Sequence, residues 1–184
     1  MTQTRRWDVS GYDLGMSGVP SLGPRGEGWL LLQVILLVGI PLAAWQAAVS
    51  GQPATVNLDP VRDAGGVALI VGLAMIAASM WSLRRARALS ALPRPLETAA
   101  MVDSGAYRFV RHPIYSGLLL AAVGVALIRL SPAVALLALL LAVVLDLKRR
   151  REEDWLQERY PGYAAYRQRT RRIDNPGPHS QKLE

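Results

Sequence analysis

The 184-residue chain contains no cysteine. That excludes disulfides, thiolate metal sites, cysteine nucleophiles and a prenylated or palmitoylated cysteine on the chain itself, and it leaves the redox compartment unreadable. Charge is missing too, but only locally. Four runs rich in Leu, Ala, Val and Ile, at 29–49, 64–83, 114–128 and 133–147, hold no Lys or Arg and only one acidic residue, Asp146. A cleavable signal peptide is not expected, because the N-terminus is polar for roughly 28 residues. Nor do the basic regions carry a nucleic-acid motif, although the net charge is +7. With the arginines flanking apolar runs, anionic lipid headgroups fit that charge better than nucleic acid.

What is present is apolar residue in quantity. The chain is 51% hydrophobic with a mean hydropathy of +0.19, too apolar for an ordinary soluble domain, and short enough for one domain. The segment 29–49 is long enough to cross a hydrocarbon core and has a Trp near each end, as interfacial anchors require. Pro41 is expected to kink it. Residues 51–63 read as a polar turn. The run 64–83 is rich in Gly, Ala and Met, which lets helices approach closely in lipid. A long polar connection, 84–111, carries Pro93 and Pro95, which break any helix begun after the second span. The third run, 114–128, is shorter than a full span, with His112 and Pro113 able to form its first turn. Arg129, Ser131 and Pro132 make a tight turn into the fourth run, so the two form a helical hairpin. The stretch KRRREEDWLQERYPGYAAYRQRTRR continues as a polar helix, breaks near Pro161 and Gly162, and resumes amphipathically.

The expected fold is therefore all-α, an integral membrane bundle of about four transmembrane helices with cytoplasmic C-terminal helices. Its parts are a loosely ordered polar leader (1–28), two N-terminal spans (29–83), a region built on the hairpin (84–172), and a disordered tail (173–184). With four spans and both termini cytoplasmic, 19 of the 21 Lys and Arg lie on one side, as the positive-inside bias demands. The hairpin then brings two stretches together at that face. One is GAYRFVRHPIYSG, 105–117, and the other is the acidic cluster Glu152, Glu153 and Asp154. Cations, carboxylates and aromatics beside an apolar wall suit an amphiphilic, zwitterionic ligand. Within the cluster, Glu153 and Asp154 are expected to pair with Lys148, Arg149 and Arg150 on a solvated helix, leaving Glu152 for a ligand. Tyr160, Tyr163 and Tyr166, three apart, are expected to pack one helical face.

The RHPxY core at 111–115, the downstream Glu pair and the following Leu156, Tyr163 and Tyr166 resemble the isoprenylcysteine carboxyl methyltransferase and phospholipid methyltransferase superfamily of integral membrane enzymes, over roughly residues 93–172. The resemblance implies S-adenosylmethionine as cofactor and methyl transfer to a lipophilic or small acceptor, whether carboxylate, amine or thiol. It maps the cofactor site onto Tyr107, Arg111, His112, Pro113, Ile114, Tyr115, Glu152 and Glu153, with Met101 and Val102 as an apolar pair against the cofactor. Lys148, one turn before Glu152, stands where prenylcysteine enzymes have a substrate-binding arginine, and is the candidate catalytic residue facing the acceptor. Lysine lacks the planar two-point grip of arginine on a carboxylate. RRIDN at 171–175 also departs from the basic residue and Ile-Pro pair of many members. The Ala, Leu and Arg bias points to a bacterial inner membrane. Two other functions fit the composition: a membrane reductase of sterol-reductase type using NADPH, and a non-enzymatic lipid-binding membrane protein.

Overall fold

The structure, a computed structural model, describes residues 17–50, 59–86 and 104–170. Met101, Val102, Pro93, Pro95, residues 1–16 and the segment 171–184 lie outside the described residues. The architecture is all-helical: α1 (Glu27–Val49), α2 (Asp59–Arg85), a 3-10 turn (Gly105–Arg108), α3 (Pro113–Arg129), α4 (Pro132–Arg159) and α5 (Tyr163–Arg169).

Among the described residues, two helices, α1 and α2, are long and apolar enough to cross a membrane. A soluble core helix would be mostly covered by protein, but here only 22% and 11% of the two most apolar windows are buried. Leu31, Ile35, Val38, Leu42, Trp45, Val67, Ile70 and Leu73 point outward uncovered, as lipid contact requires. Trp45 is exposed in the way expected of an interfacial anchor, whereas Trp29 is buried and its indole N–H donates to the Pro20 carbonyl at 2.9 Å. Helix α1 runs through Pro41 without interruption. Helix α2 begins at Asp59 rather than near 64, because Pro60 is tolerated in a first turn and Asp59 faces the positive end of the helix dipole.

Helix α3 touches α1, α2 and α4. Against α2 it packs almost backbone to backbone along a seam of small residues. Gly65 meets Gly124 and Gly72 meets Gly117, two pairs seven residues apart on each helix and therefore antiparallel. A Cβ on Gly72 would lie 2.6 Å from the Gly117 carbonyl oxygen, and one on Gly124 2.6 Å from that of Gly65. One further heptad along, buried Ser79 continues the seam, its hydroxyl satisfied by donating to the Met75 carbonyl at 2.6 Å.

The hairpin is closed by Leu130 at φ 50°, Ser131 as N-cap and Pro132 in the first turn of α4. Its apolar halves and α1 share one core of Ile40, Ala44, Ala122, Val134, Ala138, Leu141 and Leu145. This core fixes the register that carries the polar half of α4 past the start of α3.

Candidate active site

Local geometry at the start of α3 aims the functional side chains. Gly105 opens the 3-10 turn at φ 61°, a left-handed conformation that glycine adopts without strain, beside Ser82 of α2. His112 is the N-cap of α3 and makes no side-chain cap, so its ring is free to point at α4. Its carbonyl is held by the Ser116 N–H at 3.1 Å and the Ser116 hydroxyl at 3.0 Å. Pro113 is buried in the first helical turn, and its fixed φ pre-organises that turn.

Across the hairpin these side chains meet the two glutamates. The Tyr115 hydroxyl donates to Glu152 Oε2 at 2.8 Å. His112 lies between the carboxylates, with Nε2 3.2 Å from Glu153 Oε1 and Nδ1 3.7 Å from Glu152 Oε2. Its ring stacks on Tyr115 with centroids 5.5 Å apart and planes within 3°. The Lys148 ammonium stands 5.4 Å from the centre of the Tyr115 ring, one helical turn before Glu152, and donates to the Gln33 side-chain carbonyl of α1 at 2.6 Å.

Glu153 is not on a solvated face. It is 7% exposed, with Arg111 at 3.4 Å, Arg149 at 3.5 Å and Arg167 at 3.8 Å in addition to His112. Burial alone would raise its pKa, but the His112 hydrogen bond and the charges of His112, Arg111 and Arg149 outweigh it and hold the carboxyl at about 2. Asp154 is likewise buried, accepting from the Ser17 N–H at 3.1 Å and the Ser17 hydroxyl at 2.5 Å, with Arg151 3.6 Å away. Residues 17–26, expected to be loose, thus pack on the polar half of α4 and the start of α1. Of the expected i,i+4 pairs, Arg149 does meet Glu153, but in a buried setting, and the partly exposed carboxylate of this helix is Asp146, bound by Arg149 and Arg150.

Tyr163 and Tyr166 are buried on α5, but Tyr160 is the extended C-cap residue of α4 and only half-buried, so the three do not share one helical face. The Tyr166 hydroxyl donates to the Tyr107 carbonyl at 2.7 Å, which ties α5 to the 3-10 turn. Ile114 is half-buried beside Tyr115.

Two kinds of carboxylate result. Glu153 is saturated by cations and braces the site. Glu152 is more open, its side chain 24% exposed, and the contacts from Tyr115 and His112 both fall on its Oε2. The Arg111 Nε and the Tyr163 hydroxyl are also buried without a hydrogen-bond partner among them. Arg111, Lys148, Arg149 and Arg167 outnumber Glu152, Glu153 and Asp146, so the cluster can take up a further anionic group. A partly exposed carboxylate, unmatched donors and surplus positive charge fit a ligand carrying an amine, a carboxylate and hydroxyls. S-adenosylmethionine is such a molecule. The Tyr115 ring is engaged by His112 and Lys148, which leaves its hydroxyl, bonded to Glu152, rather than a ring face for such a ligand.

Sequence reasoning passed over Gln33 and Ser17. Gln33 did leave a signal: an amide inside an otherwise uncharged apolar run needs a buried partner. Ser17 left none.

Neither a curated protein nor a solved structure matches the chain. The model of the phospholipid methyltransferase family matches residues 61–162, more than half of the chain and the whole stretch from α2 through the convergence of His112 and Tyr115 with Glu152. The chain therefore belongs to the phospholipid methyltransferase family, within the integral membrane methyltransferase superfamily.

Proposed function

We propose that the protein transfers a methyl group from S-adenosylmethionine to a lipophilic or small acceptor at the cytoplasmic face of the membrane, in a bundle of four spans with both termini on that face. One observation carries the reading. Two segments 37 residues apart close on each other through the Tyr115 to Glu152 hydrogen bond, and they leave ligand-competent atoms unmatched beside it.

The bound cofactor supplies a methyl carbon already activated by a positive sulfur. What the chain supplies is placement, which can contribute on the order of 7 to 11 kcal/mol to lowering the barrier. Glu152 accepts from an amine or from ribose hydroxyls, while Arg111 and His112 hold a carboxylate. The resemblance assigns apolar cover to Met101 and Val102, which lie outside the described residues. Lys148 faces the acceptor, and its burial lowers the ammonium pKa while the charge of Glu152 opposes that shift. A carboxylate acceptor needs no base, whereas an amine or thiol must lose its proton first. Among these, the family favours a phospholipid amine.

The test is transfer of labelled methyl from S-adenosylmethionine to phosphatidylethanolamine, fatty acids and small thiols by the protein in mixed micelles. Incorporation into one class that His112→Ala and Glu152→Ala each reduce at least tenfold supports the reading. No incorporation into any of them, with saturable binding of NADPH instead, contradicts it.

A further inference from the structure

Helix α1 lies outside the residues that match the family, yet it sends one polar side chain into the site. Gln33 is 9% exposed and Lys148 2% exposed, and they meet between α1 and α4. Desolvating an ammonium is costly unless its donors are met. Glu152 stands one turn further along α4, Tyr115 of α3 offers its ring face, and Gln33 offers a neutral oxygen at 2.6 Å. The neutrality of that oxygen matters. A carboxylate there would cancel the lysine charge in a closed ion pair, and an aliphatic side chain would remove one of its acceptors. An amide carbonyl orients the ammonium without neutralising its charge.

We propose that Gln33 is a positioning residue for the acceptor end of this site: it fixes the Lys148 ammonium against the Tyr115 ring and thereby makes α1 a functional wall of the methyltransferase region. The inference rests on the methyltransferase reading for the purpose of that wall, but the Gln33 to Lys148 coupling can be read without it. Among the described residues, Glu152 faces Lys148 from its own helix and Tyr115 from α3, whereas the charged residue of α1 is Glu27, in that helix's first turn.

The chain has two lysines, Lys148 and Lys182, so side-chain 15N-lysine spectra of the full chain in detergent contain two signals, assigned with Lys182→Arg. Gln33→Met keeps side-chain length and removes the oxygen; Gln33→Glu keeps the oxygen and adds charge. The Lys148 titration midpoint is expected to fall by about one unit or more in Gln33→Met and to rise in Gln33→Glu. In mixed micelles with phosphatidylethanolamine, Gln33→Met is expected to raise the lipid KM tenfold or more while the Kd for S-adenosylmethionine stays within twofold. An exposed change on the same helix, Gln46→Met, is expected to alter neither. An active wild type whose Lys148 midpoint or lipid KM does not respond to Gln33→Met overturns the Gln33 proposal alone. So does a parallel loss of cofactor affinity and lipid KM, which marks a purely structural role. A folded wild type that transfers no methyl group to lipid or thiol overturns the methyltransferase reading, and the acceptor role of Gln33 with it.

Discussion

Adjacent glutamates on α4 have been given different tasks by their neighbours. Glu153 is enclosed by His112, Arg111, Arg149 and Arg167, and its carboxyl sits at about 2 against an ordinary 4.5. A depressed carboxylate stabilises the fold fully above its unfolded pKa and loses that contribution as pH falls through the folded one. Stability is therefore expected to fall between about pH 4.5 and pH 2, by on the order of 3 kcal/mol from this group. Thermal unfolding in detergent across that range checks it, and Glu153→Gln should flatten the profile while lowering stability at neutral pH, because the cations around it lose their partner. Glu152 has one well-made contact instead. Tyr115→Phe removes it, and about 1.5 to 3 kcal/mol of S-adenosylmethionine affinity should go with it, a tenfold or greater rise in Kd by calorimetry. His112, Tyr115 and Glu152 were legible because motif and hairpin pointed to them together. The burial of Glu153 and Asp154 was not, because their local sequence offers sufficient i,i+4 partners for a solvated helix. The partners that bury them come from residues 41 and 137 positions away.

At the level of helices, absence of charge made the apolar runs readable, and Arg129 with Ser131 and Pro132 made the hairpin readable. The pairing of α2 with α3 was readable only as a preference for small residues. Which glycines face each other depends on both helices at once, and the answer is Gly65 with Gly124 and Gly72 with Gly117. Gly66, next in sequence, has open space around the position of a Cβ. Gly72→Leu and Gly117→Leu are thus expected to cost about 1 to 3 kcal/mol or more by forcing the helices apart, while Gly66→Ala costs little. Melting temperatures in one detergent compare the three directly. Because α3 presents His112 and Tyr115 at its first turn, the two seam variants should also weaken cofactor binding, whereas Gly66→Ala should not.

For the molecule as a whole, the surplus of basic residues and the surplus of uncovered apolar surface describe two solvents. Outward Leu, Ile and Val along α1 and α2 ask for hydrocarbon, and the arginines gathered beyond the apolar half of α4 ask for a headgroup region. With four spans, the hairpin turn lies on the face opposite the site. The absence of native cysteine makes this testable without background. A cysteine introduced by Ser131→Cys should react with an impermeant maleimide from outside intact cells, and one introduced by Gly162→Cys only after lysis. Labelling of both from the same side would contradict the four-span arrangement.

The start of α3 and the polar half of α4 are proposed to form together a site for S-adenosylmethionine. Binding of this molecule and of its demethylated product to the purified protein in detergent, by calorimetry, tests it most directly, with His112→Ala and Glu152→Ala alongside. Saturable binding by the wild type is expected, with at least tenfold weaker binding by each variant, both still folded. A folded wild type that binds neither molecule, or variants that bind them as well as it does, would rule out this site.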